Sequence, residues 1–446
     1  MSRPIHTESV SLSGITDPVL DLPLTTSAAA IVFTAAAVVG LGVLAARRTR
    51  RWLVLLPVLG SCALVVTVAA AVVVEKLWRP FPDPLPTTVY VWSGIAILAL
   101  TLLVGRLLAR DRARRHLPVA CGLIAAWLVV TLAAAGHINA VYDAYPTVRA
   151  ALGVNSFRTV SLDSLESART VPSDTWTPPP RLPTSGAVIT APIPGATSGF
   201  EARAAHLYLP PAYFSDPRPE LPVLVLLAGQ PGSTEDWLIG GRLTQTMDAF
   251  ASEHSGLAPI VVLADGTGSQ FANPLCVDSH LGNVATYLSV DVPAWVRNNL
   301  QVDTDPRAWA IGGLSYGGTC ALQMATLRPD VYPTFLDMSG QGEPTLGDRT
   351  RTVDEVFGGD EAAFERMNPA DLLAHERFPE SAGAFVVGSD DSEFRSGIEQ
   401  LKAAAQAAGM DVHLTELPGG HSFEAWSAGL EKELPWLGQR LGLTHP

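Results

Sequence analysis

Apolar residues are laid out along this chain in two different patterns. In the first third they form near-continuous runs, at about 27–46, 52–74, 87–105 and 117–136, each close to or above the ~20 residues that a membrane-crossing helix requires. Buried core helices rarely come as four such runs in succession, so the pattern predicts four transmembrane helices spanning 27–136. A polar leader, 1–26, precedes the first run, and arginines follow that run rather than lead it. It therefore does not read as a cleavable signal peptide.

Past 136 the long runs stop. Residues 137–185 read as a connector whose later part, 171–183, is rich in proline and predicts an extended stalk. Tyr142 and Tyr145 near its start suit a membrane interface. From 186 to 446 short apolar strands alternate with longer helical stretches. Strands are predicted at 204–209, 223–227, 260–264, 309–311, 334–338, 384–387 and 412–417, and helices at 243–252, 284–299, 320–327 and 395–408. Such alternation predicts a mostly parallel sheet with helices on both faces. Residues 341–380 are polar and glycine-bearing, interrupt this rhythm, and read as a lid insertion.

Charge gives these patterns a direction. Residues 1–144 carry 12 basic and 7 acidic side chains, whereas 145–446 carry 18 and 36. Arg47, Arg48, Arg50 and Arg51 lie between the first two runs, and Arg106, Arg110, Arg112, Arg114 and Arg115 between the last two. Positive charge stays on the cytoplasmic side, so the N-terminus and everything after the fourth run are expected outside the cytoplasmic membrane. The strongly acidic second part makes nucleic acid a poor partner. Of four cysteines, Cys62 and Cys121 fall within spans, where small apolar packing is the default. Cys276 and Cys320 fall in the exported part, where a disulfide is permitted; two separately buried thiols are the alternative.

Candidate chemistry centres on Gly313-Leu314-Ser315-Tyr316-Gly317, preceded by an apolar strand and followed at once by a helix-forming stretch. That is the context of a nucleophile elbow, a turn too sharp for side chains on either side, which lifts a serine above the carboxyl edge of a sheet. Serine needs a base held by a carboxylate, and in this arrangement the chain order is Ser, acid, His. His375, His413, His421 and His445 follow Ser315. His421 lies in the glycine-rich loop after the last strand, where a base can reach the serine, and is the expected base. Gly388-Ser389-Asp390-Asp391 ends the strand before it. Asp391 is the first choice for the acid, Asp390 the alternative, and Asp337 an outside candidate. An oxyanion needs two backbone donors. The amide of Tyr316 is one, and Gln230, in the turn Ala228-Gly229-Gln230-Pro231-Gly232, is the best second donor because proline has none to give. No His-Glu-x-x-His, Cys-x-x-Cys or phosphate-binding loop occurs, so neither a metal nor a nucleotide cofactor is expected.

Leu226-Leu227-Ala228-Gly229 with Trp237, Gly313 to Gly318, Gly388 to Asp391, and Gly419-Gly420-His421 with Trp426 together resemble the esterase family that includes esterase D and the secreted mycolyltransferases. The resemblance covers about 200–440. It implies an α/β-hydrolase fold, no cofactor, and an acyl-enzyme mechanism with Ser315 as nucleophile, His421 as base, Asp391 as acid, and Gln230 and Tyr316 as oxyanion donors. Ala228 stands where many members carry histidine or aspartate. The four spans are outside the general family pattern and look like an actinobacterial membrane-anchored variant. The expected function is a membrane-anchored, extracytoplasmic serine esterase acting on acyl or aminoacyl esters. Lipid-linked esters such as aminoacyl-phosphatidylglycerol are included, whose amine offsets the lipid's negative charge. The alternatives are an acyltransferase of mycolyltransferase type and a non-catalytic binding protein with a hydrolase fold.

Overall fold

A computed structural model describes residues 17–108, 117–154 and 156–444. The chain divides into two compact units, Met1–Asn155 and Ser156–Pro446.

The first unit is built on four long helices: α1 (Ser27–Ala45), α2 (Arg50–Val72, continued to Trp78 by a wider turn), α3 (Thr87–Leu108) and α4 (Leu117–Tyr142). Each is long and apolar enough to cross a membrane. Small residues let the helices approach closely, and Leu44, Trp52, Leu102, Leu103, Leu123 and Val130 fill the seam between them. At the end carrying the first arginine turn, Trp52 Nε1 donates to Ala45 O at 2.7 Å and Arg106 Nη1 to Ala46 O at 2.7 Å. Arg110, Arg112, Arg114 and Arg115 lie outside the described residues.

The second unit is one eight-stranded sheet wrapped by helices. Its strands are β1 (Ala187–Ala191), β2 (Ala205–Leu209), β3 (Val223–Leu227), β4 (Ile260–Leu263), β5 (Trp309–Leu314), β6 (Thr334–Met338), β7 (Ala382–Gly388) and β8 (Asp411–Leu417). They lie in the order β8-β7-β6-β5-β3-β4-β2-β1. All neighbours are parallel except that β2 runs antiparallel to both β1 and β4. Five central strands (β3 to β7) are buried along their whole length, as expected where helices cover both faces of a parallel sheet. The covering helices include α5 (Leu243–Glu253), α6 (Val292–Asn299), α7 (Tyr316–Leu327), α11 (Ser392–Ala407) and α12 (Phe423–Arg440).

Between β6 and β7 the 341–380 segment folds as three short helices, α8 (Arg349–Phe357), α9 (Glu361–Glu365) and α10 (Pro369–His375). Arg349 gathers them by pairing with Glu343, Glu361 and Asp371 at 2.9, 2.7 and 3.4 Å while its guanidinium lies over the Phe364 ring.

The connector differs from expectation. The fourth long helix runs to Tyr142, and the chain from 156 onward belongs to the second unit. Thr170–Pro172 pairs in parallel with Arg218–Glu220, and Trp176 is buried with its Nε1 donating to Pro217 O at 2.9 Å. Proline content alone suggests an extended stalk; Phe157, Leu162, Leu165 and Trp176 supply apolar surface that packs the segment into the second unit.

Candidate active site

The site is assembled at the carboxyl ends of β3, β5, β7 and β8. β5 delivers Ser315, which adopts φ 54° and ψ −121° between the strand and α7. A left-handed non-glycine residue costs about 1–3 kcal/mol and persists only when its surroundings enforce it. Here Ser315 N donates to Met338 O at 2.8 Å, so the neighbouring strand holds the turn in place. Gly313 permits the reversal, because a Cβ there would lie 2.4 Å from the carbonyl of Gly317.

His421 comes from the loop after β8. Its Nε2 lies 2.9 Å from Ser315 Oγ and its Nδ1 3.0 Å from Asp391 Oδ2. Asp391 is the residue that opens α11, and its side chain is only 2% exposed, so little solvent competes for the carboxylate. With Nδ1–H donated to Asp391, Nε2 is left to accept the serine proton. The imidazole is further held by Phe394, stacked on it at 4.0 Å, and by Trp426, edge-on at 4.8 Å.

The other candidates fall elsewhere. Asp390 is exposed, and its amide donates to Gly419 O. Asp337 is fully buried under the turn, where its Oδ1 accepts from Gly340 N at 2.9 Å; burial pushes its carboxyl up to about 7. His413 bonds Glu433 at 2.7 Å, and His375 ends α10. His445 lies outside the described residues.

On the opposite side of Ser315 is the turn after β3. Gly229 packs so near that a Cβ on it would stand 3.4 Å from the Cβ of Ser315. Trp237 Nε1 fixes the strand end by donating to Leu227 O at 2.9 Å. Gln230 sits in this turn with its Nε2 donating to Phe271 O at 2.9 Å. Tyr316 is the first residue of α7, so its amide has no acceptor within the helix. Its phenol donates to Gly266 O at 2.9 Å and accepts from Cys276 N at 3.2 Å. Cys276 and Cys320 are joined by a disulfide with their Cα atoms 5.5 Å apart.

A salt bridge that the sequence did not announce lies close by. Arg203 grips Asp265 through Nε, Nη2 and its backbone N, and its Nη1 donates to Gly232 O at 2.8 Å. Burial opposes ionisation of Asp265, but the Arg203 hydrogen bonds and charge outweigh it and hold the carboxyl below its ordinary value. Partners 62 residues apart leave no local signal. Among the described residues no cluster of His, Cys, Asp and Glu is arranged to hold a metal ion.

Comparison with known proteins agrees with this architecture. Residues 201–437 match the Putative esterase family. An uncharacterized protein of Corynebacterium glutamicum is 43% identical over 433 residues, covering 94% of this chain and 96% of its own length. Among the solved structures that the chain matches is a ferulic acid esterase, 19% identical, with a TM-score of 0.49 over 58% of this chain and 98% of its own. An S-formylglutathione hydrolase from Agrobacterium tumefaciens is 20% identical, with a TM-score of 0.48 over 59% and 98%. MPT51 of Mycobacterium tuberculosis is 18% identical, with a TM-score of 0.40 over 60% and 100%. The family match takes in strands β2 to β8, the serine turn and the loop of His421, and the chain belongs to the Putative esterase family.

Proposed function

We propose that this protein is a membrane-anchored serine esterase whose catalytic unit works outside the cytoplasmic membrane on lipid-linked acyl or aminoacyl esters. The observation that carries the reading is the continuous hydrogen-bonded chain Asp391–His421–Ser315 on a left-handed turn between strand and helix.

In this reading Ser315 Oγ attacks the ester carbonyl as its proton passes to His421 Nε2. Asp391 steadies the resulting imidazolium and keeps the ring in the correct tautomer. The carbonyl oxygen becomes an oxyanion and is received by the amides of Gln230 and Tyr316. Collapse breaks the ester bond, the leaving alcohol takes the proton from His421, and the acyl group stays on Ser315. A water molecule activated by the same histidine then releases the acid. A hydroxyl acceptor in place of water would complete an acyl transfer instead.

Two observations favour a substrate in the bilayer. The chain carries four helices long and apolar enough to span it, and their arginine turns favour an exported catalytic unit. Among the described residues of the second unit, the large apolar side chains left exposed are Phe271 and Leu281, 53% and 44% accessible. Both lie on the loop whose Phe271 carbonyl meets Gln230. Exposed apolar residues on a loop that touches the Gln230 turn suit contact with acyl chains.

The test is lipid mass spectrometry. Total membrane lipids of the source cell are incubated with the purified protein or with its Ser315→Ala variant. Loss of an acylated or aminoacylated lipid only with the native protein, with release of free acid or amino acid, is the expected result. A matching rise in a new ester would identify a transferase. No Ser315-dependent change in any lipid would overturn the lipid assignment.

A further inference from the structure

Backbone amides have no rotamers with which to adjust, so an oxyanion site built from them is only as accurate as the loops that carry it. The two donor loops here have separate origins, one in the turn after β3 and one at the start of α7. We propose that the short segment Asp265–Thr267, at the carboxyl end of β4, is the bracket that sets the spacing between these two loops, with Arg203 and the Tyr316 phenol as its arms. This rests on the assignment of the Gln230 and Tyr316 amides as oxyanion donors.

The first arm is Arg203. Its backbone N and Nε donate to Asp265 Oδ2 at 2.7 and 3.0 Å, and its Nη2 donates to Asp265 Oδ1 and Thr267 Oγ1, both at 2.7 Å. The remaining fork atom, Nη1, reaches across to Gly232 O at 2.8 Å. A planar guanidinium fixed along one edge projects its other donor in a set direction, which a lysine ammonium does not. Gly232 closes the turn that contains Gln230. Two further bonds tie this turn to the same loop, from Gly232 N to Gln270 O at 3.2 Å and from Gln230 Nε2 to Phe271 O at 2.9 Å.

The second arm is the side chain of Tyr316. Its hydroxyl donates to Gly266 O, the residue between Asp265 and Thr267, while accepting from Cys276 N. Burial raises the phenol well above its ordinary value, so it remains a donor at any physiological pH. The Cys276–Cys320 disulfide closes the far side by tying the same loop to α7, one turn beyond Tyr316. Leu275 and Val277 seat the loop against Val356 of α8. One tripeptide thus grips both donor loops, through a carboxylate on one side and a carbonyl on the other.

Arg203 and Asp265 are positioning residues, and their loss should be felt in the transition state rather than in ground-state binding. Full-length protein in detergent is assayed on a short-chain p-nitrophenyl ester, with a trifluoromethyl ketone as the probe that adds to Ser315 and places an oxyanion in the site. For Arg203→Met the expected result is a fall in kcat on the order of 10- to 100-fold with KM within about 2-fold. Affinity for the ketone should fall by a matching factor. Arg203→Lys should be intermediate. Tyr316→Phe keeps the amide and the ring but loses the hydroxyl; it should lose roughly 3- to 10-fold in both readouts, and it carries the test if Arg203→Met does not fold. Folded variants that keep kcat and ketone affinity within about 2-fold of native overturn the bracket, as does a loss of kcat without a loss of ketone affinity. A Ser315→Ala variant that retains activity in the same assay would instead sink the assignment of Ser315 as the nucleophile, and with it the proposed function.

Discussion

On one side of Ser315 stand side chains, His421 and behind it Asp391; on the other stand backbone amides, in the turn after β3 and at the start of α7. The two flanks are held in different ways. The base flank is a direct line of hydrogen bonds at 2.9 and 3.0 Å, shielded by Phe394 and Trp426. The flank proposed to receive the oxyanion would act through backbone amides alone. In the arrangement proposed above, its geometry is set by the contacts of Arg203, Asp265 and Tyr316 and by a disulfide. Damage to the base flank should therefore remove chemistry outright, whereas damage to the oxyanion flank should degrade it by degrees.

The largest expected effect lies on the base flank. Ser315→Ala and His421→Ala should each lower kcat on the order of 10⁴-fold or more, and the double variant should be little worse than either alone, because the pair acts as one unit. Additive losses would break that picture. Asp391→Asn should cost on the order of 10²- to 10⁴-fold by favouring the wrong histidine tautomer, while Asp390→Asn stays within about 2-fold. Equal losses at the two aspartates would contradict the assignment of the acid.

The oxyanion flank should respond more mildly. Beyond the Arg203 and Tyr316 variants, replacing both Cys276 and Cys320 by serine removes a cross-link between residues 44 apart in sequence. Loop-closure entropy puts its contribution at up to about 4 kcal/mol. The double variant should melt earlier and lose kcat only several-fold, with KM unchanged. A variant as stable as the native protein would show that the loop is held without the bond.

The smallest catalytic effect belongs to Asp337, which lies beneath the turn on neither flank. Burial raises its carboxyl from an ordinary 3.8 to about 7. Between those values the folded chain keeps a proton that the unfolded chain has released, so stability falls as pH rises through the window and the loss is complete above it. Asp337→Asn should match the native melting temperature near pH 4, exceed it at pH 8, and leave kcat at pH 8 nearly unchanged. Parallel melting curves at the two pH values would contradict the inferred protonation.

Much of the Ser315–His421–Asp391 geometry was legible in the sequence, because glycines mark its sharp turns and each of the three residues sits just after an apolar strand. Ser315, Asp391 and His421 all follow that rule. Arg203 does not, and Asp265, though it follows the apolar strand β4, lies in no motif; the pair matters through a contact between residues 62 apart. The edge strand Ala187–Ala191 escaped notice as a five-residue run just after the proline-rich stretch. Helix α12 was also missed, because Pro435 and two glycines interrupt its pattern. Trp176 corrects the stalk in the same way: one buried ring outweighs the local bias of the prolines around it.

In the proposed mechanism the acyl carbon of the ester becomes bonded to Ser315 Oγ, and the most direct measurement captures that bond. Native protein is mixed with excess p-nitrophenyl ester, quenched in acid within the first turnover, digested and mapped by mass spectrometry. The expected result is one acyl group, on the peptide containing Ser315, formed in step with the burst of nitrophenolate and missing from Ser315→Ala. Ester cleavage with no adduct, or with the acyl group on another residue, would contradict it.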